Sequence, residues 1–202
     1  MKETDINKIV KFWEWFKLIS DDLLRAPTRP DLISKIDDSV NKLGSFDWEI
    51  GPYKKGEYYF AISPNLDINK LEVTREFITY APVCPGWTFL SSKPPKDWKG
   101  IWKMANENGK DIWIDSNNWR YILYKFEEDE TFDMDIIVDH IEGDINTIHM
   151  AIDIGLTGYL GEEKFITLIK HIKIISFPEE GYQNKTTLVK HIKNHIESLT
   201  QM

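Results

Sequence analysis

The spacing of apolar residues changes character at Phe46, and that change limits the folds open to this chain. Before it, Ile6, Ile9, Val10, Trp13, Phe16, Ile19, Leu23 and Leu24 recur at three- and four-residue intervals, the period of a helix with one buried stripe. The pattern predicts a helix from about Asp5, which can cap its first turn, to Arg25. Pro27 and Pro30 then break the chain. Thr28 with Asp31 is an acidic variant of the capping box and predicts a second helix ending at Gly44.

From Phe46 onward the period is two. Phe46, Trp48 and Ile50 alternate with Asp47 and Glu49, and a turn at Gly51-Pro52 and Lys54-Lys55-Gly56 leads to a second apolar run, Tyr58 to Ile62. This is a hairpin. A helix capped by Asp67 or Asn69 and carrying Leu71, Val73, Phe77 and Ile78 follows, then Pro85-Gly86 turns the chain into a strand, Trp87 to Leu90. The same order returns later: strands over Trp119–Phe126 and Phe132–Val138, helices after Asp144 and from Glu162, and a strand over Ile172–Phe177. Between the two lies Lys93 to Gly109, whose prolines forbid a regular start and whose Trp98–Asn106 stretch suggests a short helix, with a further extended run at Asp111–Ile114. A helix from Lys185 to Leu199 closes the chain.

The expected fold is therefore α+β, one domain over residues 1–202. It contains two diverged ββαβ units, at 46–94 and 118–178, joined in a mostly antiparallel sheet. Helices pack mainly on one face, with two N-terminal helices and a C-terminal helix. A chain of 202 residues with 42% hydrophobic content supports such a core without a metal or disulfide, and its single cysteine, Cys84, has no second thiol to pair with.

Charge narrows the function. The net charge of −8 disfavours generic nucleic-acid binding, and the lack of any long apolar run or signal-like start predicts a cytoplasmic protein with no membrane partner. The polar phase of the two hairpins places Asp47 and Glu49, and again Asp133 and Asp135, on the sheet face away from the helices, and Tyr59 and Arg120 join them from strands of mixed polarity. That face is either a solvated exterior or an acidic docking surface for a cationic partner. Trp98 and Trp102, interleaved with Lys93, Lys96, Lys99 and Lys103, form a second candidate surface, with packing as the alternative.

Metal ligation has weak candidates only. His191 with His195, and His149 with Asp153, have the four-residue spacing that puts two ligands on one helix face, but a site needs three or four. No cofactor is expected. Gly155, Gly158 and Gly161 recur at every third position; without a preceding strand or a following Walker lysine, they signal close packing and helix termination rather than a phosphate loop. No nucleophile elbow or triad can be nominated.

The ordered segments WEIGP (Trp48 to Pro52), AISP (Ala61 to Pro64), PGW (Pro85 to Trp87), KPPKDW (Lys93 to Trp98), WRY (Trp119 to Tyr121) and GYLGEE (Gly158 to Glu163) resemble a family of uncharacterised bacterial proteins of about this length. Here Tyr53-Lys54-Lys55 stands where that family has Gly-rich turns. The resemblance implies a bacterial protein and no mechanism. The leading expectation is a non-catalytic binding or regulatory protein with a protein partner, using the acidic face or the tryptophan-bearing segment. The alternative is a hydrolase using paired carboxylates or a His/Asp metal site, and whether the protein is an enzyme is left open.

Overall fold

A computed structural model describes residues 3–54, 56–178 and 185–200, with the side chains of residues 3–5 left aside. Where the sequence suggests one domain, the contacts of the folded chain gather into two compact units, Met1–Lys93 and Pro94–Met202. Each has its own hydrophobic core.

In the first unit, α1 (Glu3–Arg25) and α2 (Pro30–Asn41) precede a three-stranded sheet of β1 (Asp47–Pro52), β2 (Tyr58–Ser63) and β3 (Trp87–Leu90) in the order β1-β2-β3. The helix α3 (Leu71–Thr79) connects β2 to β3. Antiparallel pairing joins β1 to β2, and parallel pairing joins β2 to β3, as a helical crossover requires. The apolar stripe of α1 meets the apolar phase of β2: Phe12, Trp13 and Phe16 lie within 6.1 Å, ring centre to ring centre, of Phe60. Ile36 of α2 and Phe77 of α3 complete this core. The Thr28 capping box does not form. Arg29 is the N-cap, Pro30 takes the first helical position, where its missing N–H costs nothing, and Arg29 turns its guanidinium onto Asp31.

The second unit opens with a two-stranded sheet, β4 (Ile101–Ala105) and β5 (Asp111–Asp115). A helix expected at Trp98–Asn106 is thus a strand. Trp102 and Met104 face inward and pair with Ile114 and Ile112, so the segment follows a period of two that its lysines and flanking prolines obscured. A four-stranded sheet follows in the order β8-β7-β6-β9, from β6 (Arg120–Phe126), β7 (Thr131–Ile137), β8 (Ile169–Ile174) and β9 (Thr187–Leu188). The helices α4 (Ile145–Leu160) and α5 (Glu162–Leu168) link β7 to β8. After β9 a turn of 3-10 helix leads into α6 (Ile192–Thr200), so the closing helix is shorter than expected because Thr187 and Leu188 pair with β6.

Both units carry the ββαβ order with the same neighbours and senses: an antiparallel pair, a helical crossover, then a parallel strand beside the second. Their strands do not join. Among the described residues the sheets are separate, and the next strand pairs only with β5. The fold is α+β, and pairing is mostly antiparallel. No helix among the described residues is long and apolar enough to cross a membrane.

Candidate functional site

The four-stranded sheet has two unlike faces. Tyr121, Phe132, Met134 and Ile136 point to α4, α5 and α6 and are almost completely buried. The opposite phase carries Arg120 and Tyr124 on β6, Asp133 and Asp135 on β7, and His171 and Lys173 on β8. Register aligns them in rows: Tyr124 faces Asp133 and Asp133 faces His171, while Asp135 faces Lys173. A cleft of about 450 Å³ lies over this group, lined by Tyr124, Asp133, Asp135, His171 and Lys173. A second depression of about 560 Å³ shares Asp133 and His171 and extends over Lys125 and the acidic turn at Glu127, Glu128 and Asp129.

The two carboxylates differ in state. Asp135, expected on a solvated face, is only 8% exposed and accepts a 2.8 Å hydrogen bond from the Tyr124 hydroxyl. Its burial follows from its place on an inner strand, between β6 and β8, where neighbours on both sides remove water. Asp133 is partly exposed, yet its Oδ1 is out of contact with solvent and has no hydrogen-bond donor among the described residues. Around the two depressions stand five carboxylates against three lysines, and two of those lysines are engaged, Lys125 with Glu127 at 3.0 Å and Lys170 with Asp129 at 3.6 Å. The balance at the surface is acidic. Arg120 lies apart from the carboxylates' partners, its guanidinium donating to the Thr186 hydroxyl and carbonyl. The sequence alone does not single out Tyr124, His171 and Lys173; their alternate positions on strands hold the signal, but only register shows which carboxylate each one meets.

The first hairpin does not supply a matching open face. Tyr59 is 6% exposed, and Ala61 and Ser63 on the same side of β2 are fully buried. Glu49 accepts a short hydrogen bond from the Tyr59 hydroxyl, and burial together with that carboxylate pushes the phenol's proton affinity well above its ordinary range. Gly51 leaves the room for this ring, because a Cβ there would lie 2.7 Å from it. Asp47 accepts from the ammonium of Lys93 and the backbone N–H of Trp48. The acidic surface read across both hairpins is therefore confined to the second sheet.

Trp98 and Trp102 are packed rather than presented as a platform. Their rings stack at 4.8 Å, Trp102 meets Trp119 edge-on at 5.7 Å, and all three indoles lie along the glycine side of α4. A Cβ at Gly158 would lie 2.1 Å from Trp98, and one at Gly155 would lie 3.1 Å from Trp119. Gly161 ends α4 at φ +80°, with Pro95 against it. The regular glycines are thus a groove for aromatic rings. The indole nitrogens of Trp98, Trp102 and Trp119 have no acceptor among the described residues.

The histidine pairs do not converge on a metal. His195 accepts or donates a 2.8 Å hydrogen bond with the Tyr121 hydroxyl and burial lowers its proton affinity, while His191 lies exposed in the preceding 3-10 turn. Asp153 is half-buried, which raises its pKa, an effect that the nearby His149 opposes. Among the described residues no group of three or more His, Cys, Asp or Glu side chains could hold a metal ion.

No protein-family model matches the chain, and neither a curated protein nor a solved structure is similar to it.

Proposed function

We propose that the protein is a non-catalytic binding or regulatory protein whose cleft over β6, β7 and β8 receives a cationic segment of a protein partner. The observation that carries this reading is the surplus of carboxylates around the cleft, five against three lysines of which two are already ion-paired, with Asp133 partly exposed in its wall. An arginine or lysine from outside meets exposed carboxylates with charge-assisted hydrogen bonds. The surplus of carboxylates around the cleft would steer that partner and set its salt dependence. Catalysis by paired carboxylates is less well supported, because Asp135 is already committed to Tyr124 within the sheet.

The test is fluorescence anisotropy with an arginine-containing peptide library, comparing the native protein with Asp133→Asn at low and high salt. Binding that weakens about tenfold or more in the variant and falls with ionic strength supports the reading. A library that binds neither protein, or binds both equally, overturns it.

A further inference from the structure

The first unit contains a separate cavity of about 250 Å³ between α1, β2 and α3. Its walls are Ile9, Leu43, Phe46, Ile62, Val73 and Phe77, with Thr74 and Lys8 as the polar members. Thr74 is fully buried and donates its hydroxyl to the Leu71 carbonyl at 2.9 Å, so it offers no proton to an occupant. Gly44, at φ +149°, lets the chain turn after α2 and leaves space for the Phe46 ring at 3.1 Å. The interior suits hydrocarbon, since an apolar cavity of ~150 Å³ already stays dry and holds benzene.

The mouth has the opposite character. Lys8 lines both this cavity and an adjoining groove of about 240 Å³ between α1 and α2, where Lys11 and Lys42 stand beside Phe12, Trp15 and Leu43. None of these three ammonium groups pairs with a carboxylate among the described residues. In a chain of net charge −8, a cluster of unpaired cations at the opening of a greasy pocket is a specific arrangement. It matches an amphiphile with one anionic end.

We infer that this cavity binds a medium-chain fatty carboxylate, its tail among Ile9, Ile62, Val73 and Phe77 and its carboxylate at Lys8, with Lys11 and Lys42 beyond. Taking a methylene as about the size of a water molecule, ~30 Å³, the cavity accommodates a chain of roughly eight carbons. Octanoate is the matching probe.

Titration of the full chain with octanoate by calorimetry, beside 1-octanol as the neutral control, reads this directly. The expected result is saturable one-to-one binding of octanoate, weaker binding of the alcohol, and a loss of about fivefold in Lys8→Gln that shrinks with added salt. Val73→Phe should fill the cavity and weaken binding about tenfold or more without moving the salt dependence of arginine-peptide binding. In the native protein, NOEs from the octanoate chain to the methyl groups of Ile9, Ile62 and Val73 locate the ligand without any variant. Octanoate that fails to saturate, binds no better than the alcohol, or shows its NOEs elsewhere overturns the inference, and none of these results touches the proposal for the Asp133 cleft.

Discussion

Trp98 lies so close to Gly158 that a methyl group on the glycine would stand 2.1 Å from the indole ring, whereas one on Gly155 would stand 3.1 Å from the nearest ring atom. Alanine at either position gains ~1 kcal/mol of helix propensity. At Gly158 the gain is outweighed, because displacing a ring stacked on Trp102 carries the ~1–3 kcal/mol cost of overpacking. Gly158→Ala is expected to lower the melting temperature by several degrees and alter the near-ultraviolet circular dichroism, and Gly155→Ala to do clearly less.

Tyr124 and Asp133 should respond in opposite directions. Tyr124→Phe removes the donor that Asp135 accepts from at an 8% exposed site and should cost ~1–3 kcal/mol in urea unfolding. Asp133→Asn removes charge from a group whose shielded oxygen no donor reaches, so its unfolding midpoint should rise. A drop in stability for Asp133→Asn would mean that the carboxylate is satisfied in the unliganded protein.

Two groups give opposed pH effects. His195 has its proton affinity lowered by burial, so the unfolded chain binds the proton more readily. Its contribution is present at neutral pH and is lost as pH falls from the unfolded value near 6.5 through the lower native one. Asp153 is raised by burial, so the native state binds the proton more readily, and its unfavourable effect grows as pH rises through the window above the ordinary value of 3.8. Chemical denaturation against pH should therefore show Asp153→Asn more stable than the native protein at pH 7, with the advantage vanishing in acid. NMR titration should find His195 protonating below the ordinary histidine value of 6.5.

Cys84 is 5% exposed and packs in the core of the first unit beside Trp87. Alkylation should follow unfolding, slow in buffer and fast in denaturant. Rapid labelling of the folded chain would instead mark the first unit's core as open to reagent.

What the sequence discloses is which side of an element a residue occupies. The stripe of α1, the alternation of Phe46, Trp48 and Ile50, the Asp144 cap accepting from the Thr147 N–H, and the glycines of α4 all act as their spacing implies. How far water reaches a given side is another matter. Asp135 and Tyr59 have the phase of surface residues, yet sheet neighbours and packing leave them buried. Strand β4 is hard to read in the sequence because its inward pair, Trp102 and Met104, is short and lies among lysines; its partner pair, Ile112 and Ile114, comes after a turn. Neither cavity can be read from spacing, since each gathers its walls from several elements.

Each sheet draws its strands from one continuous stretch of chain, residues 47–90 for the first and 101–188 for the other two. Among the described residues, no strand of the earlier half pairs with one from the later half. During synthesis, the N-terminal portion can therefore complete its β-structure once it clears the ribosome, before the remainder has been translated.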